Sequence, residues 1–189
     1  MLLLLGTPLR AQDARLAERL PAGVAREVQR VVDSAGRAAL PTAPLVLKAL
    51  EGASKGADSG RILLAVRTLA GNLGTARAAL GSGATEGELV AGAAALRAGA
   101  DAPALRQLRQ LRRGEPLVVP LSVLADLLTA GVAGDRAWGS VRDMATRGAS
   151  DAAFLALRDE LVTPARGRTM PPAAEQPPTT PLPPTRSRP

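Results

Sequence analysis

Four short stretches of this chain share one pattern: Gly56-Ala57-Asp58, Gly99-Ala100-Asp101, Gly131-Val132-Ala133-Gly134-Asp135 and Gly148-Ala149-Ser150-Asp151. A glycine takes the left-handed backbone that closes a helix, a small apolar residue packs over the joint, and an Asp or Ser accepts from the free amides of the next helix. A chain punctuated in this way is restricted to helices joined by tight turns. The junctions lie 43, 32 and 17 residues apart, too irregular for a standard repeat array. The expected fold is therefore all-α: a compact bundle or short irregular solenoid of antiparallel helical hairpins, with about seven to nine helices.

Between the junctions, apolar residues recur at helical spacing. Val24, Val28, Val31, Val32 and Ala35 share one face of a helix expected to end between Gly36 and Leu40, ahead of Pro41. Val46, Ala49, Leu50 and Ala53 form the next face, and Ile62, Val66, Leu69, Leu73, Ala76 and Leu80 mark the clearest helix. Gly71 and Gly74 inside it either weaken that helix or permit a close helix crossing. Thr85 and Glu88 match a capping box, in which each side chain accepts from the other residue's amide, ahead of a helix carrying Leu89, Ala93 and Leu96. Asp101 is the expected cap of a segment with Leu105, Leu108 and Leu111, and Pro103 is tolerated in its first turn. Leu121, Leu124, Ala125 and Leu128 mark a further helix, Val141, Met144 and Ala145 another, and Phe154, Leu157 and Leu161 the last.

Composition agrees with this reading. Phe154 and Trp138 are the only aromatic residues and Ile62 is the only isoleucine. Core volume must therefore come from Ala, Leu and Val, a set weighted toward good helix formers. Cys and His are absent, which excludes disulfides, thiolate nucleophiles, Cys/His zinc sites and imidazole catalysis. No cofactor is expected, and no residue reads as a metal ligand. Gly81, Gly83 and Gly87 lack the strand-to-helix context and the Lys-Ser or Lys-Thr pair of a phosphate loop, and Ser54-Lys55 lacks the spacing that sets a lysine beside a nucleophilic serine.

The net charge is +7, which raises nucleic acid or an anionic surface as a partner. The densest basic run holds Arg106, Arg109, Arg112 and Arg113; Arg61, Arg67, Arg77, Arg136 and Arg142 are a second set for a helix ridge. Acidic residues are interspersed and base-stacking aromatics are nearly absent, so phosphate-backbone binding is the alternative reading and a protein partner the favoured one. Trp138 reads as a core or groove anchor, with a partner hot spot as its functional alternative.

Two stretches align 75 residues apart: GADSGRILLAVRTLA from Gly56 and GVAGDRAWGSVRDMA from Gly131. The match suggests a duplicated hairpin covering residues 45–80 and 120–155. It also pairs Glu51 with Asp126, two carboxylates that would serve as acid and base of a hydrolase if packing brought them across a cleft. The competing reading gives each a local ion pair, Glu51 with Lys55 four residues on and Asp126 with an arginine of a neighbouring helix. No catalytic residue is assigned.

The chain opens MLLLLGTPLRAQ, which resembles the back end of a secretory signal without a basic leading region. Residues 1–11 are expected to be a signal remnant, with a mature chain from Gln12 and an exported, periplasmic or extracellular, protein; the cytoplasmic alternative makes the leucines a simple apolar turn. No segment approaches the roughly 18 to 20 apolar residues of a bilayer span. Residues 12–162 form the expected helical domain. From Thr163 to Pro189 the chain holds nine of its 16 prolines, and is expected to be a disordered tail in which Pro181 to Arg186 match a PxxP segment. The functional expectation is a non-catalytic helical structural or protein-interaction module.

Overall fold

A computed structural model describes the backbone of residues 16–168 and the side chains to residue 162. The expected signal remnant, the start at Gln12 and most of the proline-rich tail lie outside the described residues. The described chain forms α1 (residues 16–19), α2 (Ala22–Arg37), α3 (Ala43–Ser54), α4 (Ser59–Leu80), α5 (Glu86–Ala98), α6 (Ala102–Leu111), α7 (Val118–Thr129), α8 (Gly134–Thr146) and α9 (Asp151–Arg168), with no strand among the described residues. The all-helical expectation holds. α9 continues past Thr163 to Arg168, into the stretch expected as tail.

The four junctions share one closing mechanism. Gly56, Gly99, Gly131 and Gly148 all have left-handed backbone, with φ between 64° and 112°. Behind each glycine the small apolar residue returns its amide to a carbonyl one turn back: Ala57 to Gly52, Ala100 to Ala95, Val132 to Leu127 and Ala149 to Met144. These bonds satisfy carbonyls that a helix end leaves free, and the same small residues pack on the core. The caps that follow are not uniform. Asp58 accepts from the Arg61 amide at 2.9 Å and Asp101 from the Ala104 amide at 2.8 Å. Ser150 accepts from the Ala153 amide at 3.4 Å. Asp135 does not cap: α8 begins two residues earlier than the motif implies, Ala133 takes the cap position with no side-chain bond, and Asp135 sits inside the first turn. Ala133 stands two residues after Gly131, the spacing at which Asp58, Asp101 and Ser150 follow their closing glycines, and Ala133 with Gly134 puts the acid two residues past that cap position.

A fifth joint uses the same geometry without glycine. Ala39 has φ 53° and Leu40 returns its amide to Ala35, while Arg77 clamps the Ala39 carbonyl at 2.7 Å. A Cβ in left-handed backbone costs about 1–2 kcal/mol, part of which glycine gives back through its greater freedom when unfolded. Ala39→Gly should therefore raise the unfolding free energy by about 0.5–1 kcal/mol in urea titration; a loss of stability would show that the Arg77 clamp has removed the strain.

Across the molecule the helices lie in the order α3, α4, α5, α7, α9, with α5 against α7 as the most extensive contact. α2 covers α3 and α4, and α6 bridges α4 and α8. α7 is central because Asp126 is its only charged residue. Leu121, Val123, Leu124 and Leu127 are all buried, on more than one face of the helix. With few large side chains to interdigitate, close approach comes from glycine. A Cβ on Gly92 would stand 3.1 Å from the Ala76 Cβ, and one on Gly52 would stand 2.8 Å from Ile62. Gly71 and Gly74 have nothing within 4 Å, so the close crossing expected of them is made at Gly92 and Gly52 instead. α1, which the periodicity did not mark, adds Leu16 to the core, and Leu20 just after it is buried there too.

The 75-residue offset also appears in the helix boundaries. α3 and α7 both start and end 75 residues apart, as do the starts of α4 and α8. Val46 and Leu121, Ala49 and Leu124, Ile62 and Ala137, and Val66 and Val141 are buried as matching pairs. We propose that these hairpins arose by duplication of one unit. No helix among the described residues is long and apolar enough to cross a membrane.

Candidate functional site

Two buried charged residues stand out in a core that is otherwise aliphatic: Glu88, 4% exposed, and Arg112, 6% exposed. Glu88 performs the expected capping-box role, with Oε2 accepting from the Thr85 amide at 2.9 Å and Thr85 Oγ1 accepting from the Glu88 amide at 3.3 Å. Its other oxygen reaches further than the motif implies. Oε1 accepts from Arg109 Nη2 at 2.6 Å and from the Leu117 amide at 2.9 Å. Burial works most strongly against ionisation here, but the bonds from Thr85, Arg109 and Leu117 outweigh it together and hold the carboxyl below its ordinary 4.5.

Arg112 closes a second knot. Nη1 donates to the Ala149 carbonyl at 2.7 Å, Nη2 pairs with Glu115 Oε2 at 2.6 Å, and the guanidinium lies 5.3 Å from the centre of the Phe154 ring. Arg109 Nη1 also donates to the Glu115 carbonyl at 3.2 Å. Together these groups tie α5, α6, the α6–α7 loop and the start of α9. Glu88 and Arg112 are the buried members, and their bonds fix the helices to one another. Of the basic run singled out in the sequence, Arg109 and Arg112 are thus held in internal contacts, while Arg106 and Arg113 are exposed.

The acidic pair is placed on separate helices with separate partners. Glu51 is bonded by Lys48 at 2.6 Å and Lys55 at 2.5 Å. The hydrogen bonds from those two lysines, with their charge, bring its carboxyl down to about 2. Asp126 lies 3.8 Å from Arg158 Nη1. A general acid needs a raised pKa to hold its proton near neutrality, and Glu51 is shifted the opposite way.

Trp138 is half-buried and packs on the core from α8. It lines a cleft of ≈ 190 Å³ together with Asp101 and Ala104 of the α6 start, Leu124 and Leu128 of α7, and Asp135 of α8. Asp135 and Trp138 are three residues apart on one helix and so share a face. Two of the four glycine junctions, at Gly99 and Gly134, meet at this cleft. Larger clefts of ≈ 470 Å³ beside Leu50 and ≈ 320 Å³ between α2 and α4 carry no aromatic side chain among their described lining residues. Among the described residues no group of three or more acidic side chains is placed to hold a metal ion. The sequence singled out Trp138 but not the pairing of its cleft with Asp101, which depends on how α6 packs on α8. Comparison with protein-family models, with curated proteins and with solved structures finds no match to this chain.

Proposed function

We propose that the chain is a non-catalytic helical module that presents a docking surface to another protein. The observation that carries this reading is the Trp138 cleft: the chain's only tryptophan is left half-open between three helices, although the core has only one other aromatic side chain to draw on. Tryptophan is the residue type most enriched at the energetic centre of interfaces. The hydrolase alternative is poorly served by Glu51, which stays ionised down to about 2. Phosphate-backbone binding has only Arg106 and Arg113 of its densest run exposed. Export, suggested by the leucine-rich start, belongs to the same proposal.

The absence of cysteine permits a direct test. Thr129→Cys beside the cleft and Thr68→Cys on the outer face of α4 are both exposed positions, and each carries a photo-crosslinking label in the native host. A discrete adduct is expected from Thr129→Cys alone, and Trp138→Ala should abolish it. The same adduct from both positions, or its survival in Trp138→Ala, would remove the cleft as the docking surface. Mass spectrometry of that adduct reports export as well, through a chain beginning near Gln12.

A further inference from the structure

We infer that the Trp138 cleft receives a cationic side chain, an arginine or a lysine, from the partner protein. This rests on the interaction reading above and names the chemistry of what docks. At the 75-residue offset, the two hairpins differ in chemistry at this cleft. In the first, Asp58 caps α4 through the Arg61 amide and also lies 3.1 Å from Arg61 Nε. Gly60 and Leu63 follow it. In the second, the matching positions hold Ala133, Asp135 and Trp138. The cap is gone, a carboxylate appears two residues later, and an indole replaces an aliphatic side chain. The carboxylate and the indole both line the cleft.

Charge identifies the occupant. Asp101 accepts one backbone amide and makes no ion pair, and the Asp135 carboxylate has neither an ion pair nor a hydrogen-bond partner among the described residues. Arg97, Arg106 and Arg136, the cations nearest in sequence, are exposed and none lines the cleft. The N-termini of α6 and α8 supply about half a positive charge each, so two carboxylates leave the cleft with about one net negative charge. An indole face attracts a cation, and a floor of Leu124 and Leu128 suits the aliphatic stem of a long basic side chain. Unpaired acids beside tryptophan form a local negative spot on a chain of net charge +7.

Because Trp138 is the only tryptophan, its emission reports this cleft alone. The full chain is titrated at matched ionic strength with N-acetyl-arginine amide and with the uncharged N-acetyl-citrulline amide. The arginine compound should shift Trp138 emission with saturation, and the Asp101→Asn, Asp135→Asn double variant should bind it roughly tenfold more weakly. Asparagine caps a helix as well as aspartate does, so circular dichroism and Tm of the variant serve as the folding control. An equal response to citrulline amide would overturn the cation assignment and leave an apolar docking cleft. Unchanged affinity in the double variant would do the same. Silence with both compounds would also overturn it, while the Thr129 crosslink judges the docking surface independently.

Discussion

Glu88→Ala should lower the unfolding free energy by about 3 kcal/mol, the low end of what breaking a buried ion pair costs. The low end applies because the Arg109 side chain is 25% exposed, so water partly replaces the lost carboxylate. The amide of the buried Leu117 has no such recourse and loses its acceptor inside the fold. Glu88→Gln should lose roughly half as much, since a carboxamide offers one acceptor oxygen where the carboxylate uses two. Acid gives a second readout of the same group. Its folded pKa lies below 4.5, so its contribution is fully present above 4.5 and is lost as pH falls through the folded value. Urea midpoints of the parent should therefore drop on acidification below 4.5 more steeply than those of Glu88→Gln. Parallel acid profiles, or a loss near zero for Glu88→Ala, would reduce Glu88 to an ordinary local cap.

The contrast between Glu88 and Asp135 shows how far local sequence reaches. Thr85 and Glu88 are three residues apart, and the capping box between them is a local event that spacing reveals. The bonds from Arg109 and Leu117 come from 21 and 29 residues away, and no local pattern encodes them. The burial of Arg112 was hidden for the same reason: in the Arg106 to Arg113 run every arginine is chemically alike, and only the placement of Phe154 and Ala149 distinguishes this one. Asp135 shows the opposite failure. Its motif was visible, but the helix starts at the same distance from the closing glycine as at the other junctions, and the acid, two residues too late, falls inside the first turn. Most helix faces between Val24 and Leu161 were legible because burial follows the 3.6-residue period, with Leu111 the exception, exposed at the end of α6. α1 was not, since Leu16 and Leu20 alone define no period. The candidate site was legible only as Trp138; the cleft around it is a product of helix packing.

Phe154→Ala should cost about 3–5 kcal/mol, the range for emptying a buried aromatic position. Phe154 is fully buried, the largest side chain in a core drawn mainly from Leu, Val and Ala. The loss also removes the ring beneath the Arg112 guanidinium, an interaction worth about 2 kcal/mol when water is excluded. Arg112 would then remain buried with Nε already lacking a partner. Phe154→Leu preserves most of the volume and should cost about 1.5 kcal/mol or slightly more. Two measurements separate packing from the cation contact. In urea unfolding, the double variant Arg112→Met, Phe154→Leu should lose less than the sum of the single changes, because the contact between them is removed only once. In limited trypsin digestion, Phe154→Ala should open the exposed Arg147 site ahead of α9, since the Arg112 bond to Ala149 and the Phe154 ring are what tie that junction to α6. Strict additivity in the cycle would show that the guanidinium sits beside the ring without energetic coupling, and an unchanged digestion pattern would show that α9 is held mainly by its contact with α7.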